Sequence, residues 1–300
     1  MEKRGLKCAI RDYLNRKFPV MMTCYNFRCK MGYSCHIKNP QTFNEKIQYL
    51  KIYKYSNNPL VTKCADKFEV RNFIRDKGYG DLLVPLFGHW DSANDIDFDK
   101  LPDKFVLKCN HGSGYNILCN NKNKINRSEV IMTLDKWMKE DFSVKFAELQ
   151  YRNIPHKIIA EQYLGEEIYD YKFFCFNGKP KYIYISQEIP ETNGEVKCCF
   201  WDENGNLAEF ERTDEHFYKK DEVPSIPTEF SEMKQIASDL SSGFPFVRVD
   251  LFLINDKIYF SELTFTPAAG MMPLRPTIWD RKLGDLLILQ KNKLMANDKN

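Results

Sequence analysis

The segment 246–267, which reads FVRVDLFLINDKIYFSELTFTP, constrains the fold more than any other part of this 300-residue chain. Two alternating runs predict an antiparallel hairpin, with Arg248 and Asp250 on the polar face of the first strand. A three-residue turn at 255–257 places Asp250 directly opposite Glu262 of the second strand. Two carboxylates are therefore expected to face each other.

Such a pair needs a positive charge beside it, because opposed side chains lie roughly 4.5 to 5.5 Å apart at Cβ and like charges repel. Mg²⁺ suits the pair, since it takes one or two carboxylates and completes its shell with water and phosphate oxygens. Arg248 can hold phosphate in a fork. The hairpin thus predicts a nucleotide site, unless its register slips by one residue and sends the acids to different faces.

The composition is that of an ordinary soluble globular protein with one large or two moderate domains. No apolar run is long enough to span a membrane and the amino terminus lacks the apolar segment of a signal peptide, so a cytoplasmic location is expected. The ten cysteines are interpreted as reduced thiols, mostly apolar fillers. The spacing of Cys24, Cys29, Cys35 and His36 does not match the tight pairs of common structural zinc sites.

Charge is concentrated at the start of the chain. Residues 1–38 contain nine Lys or Arg and two acids, so this segment carries +7 and the remainder −4. The preferred interpretation is a basic helical segment packed on the body with its charges in water. The alternative is peripheral contact with the inner face of the membrane through apolar residues such as Ile10, Tyr13 and Phe18. Nucleic acid is not an expected partner, since no binding motif accompanies the charge.

Helix and strand signals are mixed along the rest of the chain, which predicts an α+β fold. Thr42 and Glu45 have capping-box spacing, and Asn177-Gly178 is a strong hairpin signal. Helices are predicted over 39–55, 61–77, 128–142, 231–242 and 278–290, and strands over 104–110, 116–119, 157–164, 171–176 and 181–186.

Several short patterns carry side chains suited to a nucleotide. Lys108 ends a strand and precedes a glycine-containing turn, 111–114, whose backbone N–H groups can approach phosphates closely. This turn is neither a Walker loop nor a dinucleotide fingerprint. The strand end 161–164 can offer backbone groups to adenine and a carboxylate to ribose, and Lys172 can reach a phosphate. Each pattern alone also describes an ordinary turn or buried strand.

Five phrases, taken in order, resemble the ATP-grasp superfamily and in particular its TupA-like branch. They read TFNEKIQYLKIY, LPDKFVLKCNHGSGYNI, DYKFFCFNGKPKYI, FPFVRVDLFLINDKIYFSELTFTP and WDRKLGDLL. The resemblance spans residues 39 to 287, and long phrases in this order are specific.

The resemblance implies an ATP-dependent carboxylate–amine ligase that works through an acyl-phosphate and holds ATP between two α+β subdomains. The expected organisation is a basic segment 1–38, a helical lead-in 39–103, a small subdomain 104–164, a large subdomain 165–290 and a tail 291–300. The implied substrates are a sugar acid of a cell-surface polysaccharide and an amino acid or other amine.

The resemblance also implies roles for individual residues. Lys67 and Lys108 are expected at the phosphates, covered by His111, Gly112, Ser113 and Gly114, while Glu161, Gln162, Tyr163 and Leu164 hold adenine and ribose. Lys172 and Arg248 would steady the transferred phosphate, and Asp250 and Glu262 would bind Mg²⁺. Many ATP-grasp enzymes have Asn where this chain has Thr264. The resemblance therefore leaves open whether the site binds one Mg²⁺ ion or two.

Two other functions remain open at this stage. Asp95, Asp97 and Asp99 form two DxD patterns, which would suit a metal-dependent glycosyltransferase of polysaccharide biosynthesis that uses a nucleotide sugar. An acidic surface loop is the preferred interpretation of this segment. The basic amino terminus would also suit a non-enzymatic assembly factor docked at the membrane.

Overall fold

The structure, a computed structural model, describes residues 2–165, 168–188, 195–219 and 221–289, with side chains from residue 8 onward. The predicted tail 291–300 and the last residue of the predicted helix 278–290 lie outside the described residues. Helices and three antiparallel or mixed sheets alternate along the chain. The predicted α+β class is confirmed.

Helices form the first quarter of the fold. They are α1 (Glu2–Lys17), α2 (Pro19–Met31), α3 (Phe43–Leu50) with a π-helical turn over Lys51–Tyr55, α4 (Pro59–Ala65) and α5 (Val70–Asp76). The predicted capping box begins α3, where the Thr42 hydroxyl accepts a hydrogen bond from the backbone N–H of Glu45.

The single helix predicted over 61–77 is wrong, because the chain breaks between α4 and α5. The Asp66 carboxylate accepts hydrogen bonds from the backbone N–H groups of Phe68 and Glu69 at 2.8 and 3.2 Å. A local side-chain acceptor of this kind competes with helical hydrogen bonds and starts a new turn. Because of this break, Lys67 lies between the two helices and not within a helix.

A four-stranded antiparallel sheet forms the smaller unit. Its strands are β1 (Leu86–Trp90), β2 (Phe105–Cys109), β3 (Asn116–Cys119) and β4 (Ile158–Gln162), in the order β1-β4-β2-β3. The helix α6 (Arg127–Met138) packs on it, with Leu134 against Phe105 and Leu107 in one apolar cluster. The sheet also includes β1, which precedes residue 104.

A six-stranded sheet forms the larger unit, in the order β11-β10-β5-β6-β7-β9. Its strands are β5 (Tyr169–Phe176), β6 (Lys179–Glu188), β7 (Val196–Asp202), β9 (His216–Phe217), β10 (Phe246–Ile254) and β11 (Lys257–Thr264). Two short strands, β8 (Glu211–Arg212) and β12 (Leu274–Arg275), belong to the same part of the chain. The strands β8 and β12 pair separately. The helices α7 (Phe230–Ser241), α3 and α8 (Ile278–Leu286) complete the unit, and the predicted Asn177-Gly178 turn joins β5 to β6.

The hairpin of β10 and β11 confirms the predicted pairing of Asp250 with Glu262, although its turn differs from the prediction. The turn has two residues, Asn255 and Asp256, both with positive φ. A β-bulge then places Ser261 as an extra residue, because Leu251 pairs with 260 while Asp250 pairs with 262. The two deviations cancel, and the acids remain opposite each other.

The helices α1 and α2 pack on the segment 142–147, and Arg16 forms an ion pair with Asp141 at 3.0 Å. Their outer surface nevertheless carries large exposed apolar side chains: Ile10, Tyr13, Phe18, Val20, Met21 and Tyr25. None of the helices in the described ranges has the length and hydrophobicity that crossing a bilayer demands.

Candidate functional site

A cavity of about 420 Å³ lies between the two sheets. Its walls are the open faces of β2 and β3 on one side and those of β5, β10 and β11 on the other, joined by the chain after β4. It brings together most of the predicted site residues: Lys67, Lys108, Ser113, Gly114, Gln162, Tyr163, Leu164, Lys172, Arg248, Asp250 and Glu262. His111, Gly112 and Glu161 are not part of its lining.

Arg248 lies between the two opposed acids at the floor of this cavity. Its Nε and Nη2 atoms donate to the two carboxylate oxygens of Asp250 at 2.8 and 2.5 Å, and Nη2 lies 3.5 Å from Glu262. The positive charge required by the pairing is thus supplied by the protein itself. The guanidinium fork of Arg248 thus holds the Asp250 carboxylate, whereas the sequence predicted that it would hold a phosphate.

The two acids have different environments. Burial raises the pKa of Asp250, and the hydrogen-bonded Arg248 guanidinium opposes that shift. Burial also tends to raise the pKa of Glu262, but the positive charges of Lys67 and Arg248 together hold it below its ordinary value. Glu262 further accepts a hydrogen bond of 2.8 Å from the Thr264 hydroxyl. The floor of the cavity is therefore a compact network of fixed charges.

Lys67 reaches this network from the helix break. Its Nζ atom lies 3.0 Å from a carboxylate oxygen of Glu262 and donates to the Gly112 carbonyl at 3.0 Å. The backbone N–H of Lys67 donates to the carbonyl of Asn110. Lys67 consequently ties the glycine loop to the hairpin of the opposite sheet.

Lys108 is held on the other wall by Glu161, with Nζ 2.7 Å from the carboxylate. Glu161 is buried and also binds Arg71 at 2.9 Å, while Arg71 donates to the backbone carbonyl of Val84. The expected contact of Glu161 with a ribose is not what this geometry offers, because both carboxylate oxygens face protein cations. Arg71 was missed, since no local pattern links it to a strand ninety residues away.

Lys172 lies directly across the sheet from Asp250. Its Nζ atom is 2.7 Å from Asp170 and 2.7 Å from the Ser186 hydroxyl, and it sits over the Tyr184 ring. Asp170 also lines the cavity and was not predicted as a site residue. The signal was present in the sequence, because Asp170 and Lys172 are two apart on one strand and share a face.

The glycine loop approaches the cavity through Ser113 and Gly114, and Gly114 has a φ of +76°. Gly112 is close-packed beneath: a Cβ there would lie 2.6 Å from the Phe142 ring and 2.9 Å from Tyr115. The loop therefore needs glycine at 112 for packing and at 114 for its backbone conformation.

His111 supports the loop from below and does not reach the cavity. Its ring stacks on that of His156 at 3.6 Å, and its Nε2 atom is 3.1 Å from the Trp137 carbonyl. Burial, together with the neighbouring His156, lowers the pKa of His111 to about 4. The expected contact of His111 with a cofactor is thus replaced by a structural role.

A second cavity of about 620 Å³ adjoins the first and shares Ser113, Arg248 and Glu262 with it. Its other walls come from the segment 142–151, the chain from Thr264 to Met271, and Lys30 of α2. No sequence pattern predicted this cavity, because its walls are loops from distant parts of the chain.

The donors at the floor suit one Mg²⁺ that arrives with phosphate. Asp250 and Glu262 provide two carboxylates in register, and Thr264 adds a hydroxyl that now binds Glu262 and Arg248. No group of three His, Cys, Asp or Glu side chains suited to a metal occurs in the part of the chain that the structure describes. The remaining ligands would have to be phosphate oxygens or water.

The DxD segment lies on the surface. Asp95, Asp97 and Asp99 are exposed, and the last two form ion pairs with Lys100 and Arg127 at 2.9 and 2.7 Å. None of the three lines either cavity described above. This placement favours the interpretation of an acidic surface loop.

Comparison with known proteins identifies the family. A family model described as TupA-like ATPgrasp matches residues 45–288. The chain belongs to the TupA-like ATP-grasp family. The prediction from the five sequence phrases is confirmed. No curated protein matches the chain.

Three solved structures to which this chain is similar are ligases, at low identity. D-alanine–D-alanine ligase from Bacillus anthracis has 18% identity and a TM-score of 0.44, covering 76% of this chain and 68% of that one. L-amino acid ligase from Bacillus licheniformis has 15% identity and a TM-score of 0.45, covering 76% and 49%. Phosphoribosylamine–glycine ligase from Thermotoga maritima has 10% identity and a TM-score of 0.42, covering 71% and 51%. The family assignment rests on the sequence match alone.

The buried His111 should make stability depend on pH. Its pKa is about 4 in the folded chain against an ordinary 6.5, so as the pH falls through this range the unfolded chain takes up the proton first and the folded state is destabilised. Allowing for solvent screening, we expect a loss of roughly 1 kcal/mol between pH 7 and pH 5. Urea unfolding of wild type and His111→Gln at both pH values measures it. His111→Gln should lose less unfolding free energy than wild type between the two pH values, and equal losses would contradict the attribution to His111. His216→Gln, at an exposed histidine, is the control.

Proposed function

We propose that this protein is an ATP-dependent carboxylate–amine ligase whose ATP lies in the cavity between the two sheets. The observation that carries the proposal is the floor of that cavity, where Asp250 and Glu262 are paired in register beside Arg248, Lys67 and Lys172. Family membership supports the same reaction class. We assign the small sheet and the large sheet to the two subdomains that enclose the nucleotide.

The adenine would occupy the end of the cavity formed by Gln162, Tyr163 and Leu164, with Val106 and Leu118 as apolar walls. Its phosphates would extend toward Lys67, Lys108 and the backbone of Ser113 and Gly114. Cations and backbone N–H groups are suited to this purpose because phosphoryl transfer needs positioning and charge neutralisation more than covalent participation.

Asp250 and Glu262 would hold Mg²⁺, which neutralises charge on the phosphates when it is bound. Two side chains of this chain would bind the transferred phosphate. For the ion to reach both carboxylates, Arg248 has to release Asp250, and its freed fork can then hold the transferred phosphate. Lys172, opposite Asp250 in the sheet, would contact the same group.

The reaction would take two steps. A carboxylate oxygen of the first substrate attacks the γ-phosphorus, the bond to the β–γ bridging oxygen breaks, and ADP leaves. The amine then attacks the carbonyl carbon of the acyl-phosphate, the carbon–nitrogen bond forms and phosphate leaves with the electron pair of the broken carbon–oxygen bond. An ammonium substrate releases two protons, of which phosphate takes one and solvent water the other. This route needs no protein nucleophile, and the described cysteines of both sheets are buried.

The substrates we propose are a sugar acid of a cell-surface polysaccharide precursor and an amine. The resemblance of the sequence phrases supports this choice. The alternative of a DxD glycosyltransferase is less favoured, because its aspartates lie on the surface outside both cavities.

We further propose that α1 and α2 rest on the anionic inner face of the membrane. Met21 and Tyr25 are exposed apolar side chains four residues apart on α2, and the exposed Phe18 lies at the N-cap of the same helix. Arg11 and Arg16 are exposed cations of α1, in a segment that carries +7. Apolar insertion combined with attraction to anionic lipid is the usual basis of peripheral binding. Since Lys30 of α2 lines the second cavity, this surface would bring the cavity close to membrane-bound precursors.

Asp250→Asn should abolish ATP turnover, because it removes one carboxylate from the floor while keeping its shape. We expect ADP release to fall by about 100-fold or more in a panel of hexuronic acids combined with amines. Asp97→Asn removes a DxD carboxylate and should keep wild-type turnover. Turnover of UDP-sugars without ADP release, lost in Asp97→Asn, would instead indicate a glycosyltransferase.

Mg²⁺ alone should leave the thermal unfolding midpoint unchanged, because Arg248 and Lys67 already neutralise both carboxylates. ATP with Mg²⁺ should raise the midpoint, since a ligand that binds only the folded state stabilises it. Chelation of the ion with EDTA should reverse part of this rise. A clear rise with Mg²⁺ in the absence of nucleotide would show that the carboxylates form a metal site on their own.

The full chain should co-sediment with vesicles that contain phosphatidylglycerol and not with vesicles of phosphatidylcholine alone, and salt should weaken binding. Arg11→Glu combined with Arg16→Glu should reduce binding by about tenfold or more. Arg127→Glu is the matched control, since Arg127 is a similarly exposed arginine paired with an aspartate. Equal loss in the control, or binding to both kinds of vesicle, would argue against a docking surface.

A further inference from the structure

The second cavity contains a buried carboxylate that the proposed phosphoryl-transfer step does not use. Glu148 lines this cavity and is 8% exposed. Its Oε1 atom accepts a hydrogen bond of 2.5 Å from the Thr266 hydroxyl. A buried carboxylate ordinarily has a cationic partner, because removing a charge from water is costly.

The other charges of the cavity have such partners. Lys30 is paired with Asp214 at 3.0 Å, and Lys145 with Glu140 at 3.0 Å. Among the described residues no Lys, Arg or His nitrogen forms an ion pair with Glu148. Glu148 is therefore the acid of this cavity that is left for a ligand cation.

Lys51 lies near Glu148 but uses its ammonium group elsewhere. Its Nζ atom donates to the backbone carbonyls of Phe146 and Ala269 at 2.7 and 3.3 Å. These carbonyls belong to two stretches of left-handed backbone, with φ of 54° at both residues. Lys51 thus fixes the two loops that form the walls of the cavity and attracts Glu148 only from a distance.

The position of Glu148 relates the cavity to the nucleotide. Burial raises the pKa of Glu148, and the negative charge of Glu262 raises it further. Glu262 belongs to the wall that both cavities share. A cation bound at Glu148 would relieve the repulsion between the two acids.

We propose that the second cavity binds the amine substrate in its ammonium form, with Glu148 as the carboxylate that recognises it. The inference rests on the proposed ligase function and assigns its second substrate to a site. The ligand class is a primary amine that carries a positive charge. Phe142, Phe146 and Tyr151 would surround the adjacent apolar part of the molecule.

Saturation-transfer NMR on the full chain tests this with a panel of primary amines, comprising amino acids, amino sugars and ethanolamine, each measured beside its N-acetyl form. We expect at least one amine to bind wild type while its uncharged N-acetyl form does not. Glu148→Gln should weaken that binding by about tenfold or more, because it removes a buried charge–charge contact. Glu129→Gln, an exposed acid on α6 outside both cavities, should bind as wild type does.

Three outcomes would overturn the inference: no amine of the panel binds wild type, an N-acetyl form binds as well as its amine, or Glu148→Gln binds unchanged. If Glu148→Gln does not fold, the wild-type comparison of each amine with its N-acetyl form still decides. Titration of the same sample with ATP and Mg²⁺ separates the two claims. Absence of nucleotide binding would contradict the ligase function but not the amine site. Nucleotide binding without amine binding would contradict only the amine site.

Discussion

The contact between Arg248 and Asp250 is the interaction on which the rest of the site depends. Two acids opposed on neighbouring strands would repel each other in a buried position, and the guanidinium between them makes the pairing stable. Because Arg248 is two residues from Asp250 on the same strand, the compensation is local and forms whenever β10 and β11 pair. The hairpin can thus fold before any ligand is present.

The same arrangement recurs around the first cavity, where each cation has an acidic partner. The pairs are Lys67 with Glu262, Lys108 with Glu161, Lys172 with Asp170 and Arg248 with Asp250. Ion pairs hold the cations in place and keep the lining of the cavity close to neutral. Binding of a polyphosphate would then proceed by exchange of partners, with little movement of the cations themselves.

The sequence predicted the fold class and the hairpin because both depend on local alternation. It predicted the wrong turn, yet the acids remained opposed because the bulge at Ser261 added the missing residue. That bulge had a signal in the sequence: the apolar residues at 258 and 260 are followed by apolar residues at 263 and 265, a change of parity that an extra residue explains. The break at Asp66 was also readable, since a short acidic side chain inside a predicted helix often starts a turn.

Other parts of the site had no local signal. The contact of Arg71 with Glu161 joins segments ninety residues apart, and the cavity around Glu148 is built from loops that follow no period. His111 was predicted to contact a ligand because it adjoins glycine residues, but in the structure it is fully buried. Residues whose roles depend on long-range packing are those that a single sequence does not reveal.

The wall shared by the two cavities has a kinetic consequence. Acyl-phosphates are susceptible to water, so an enzyme that makes one benefits when the intermediate is consumed where it forms. Ser113, Arg248 and Glu262 face both cavities, so the activated carbonyl of the proposed reaction would not need to travel between sites. Escape of the intermediate would then compete with a transfer over the width of a few side chains.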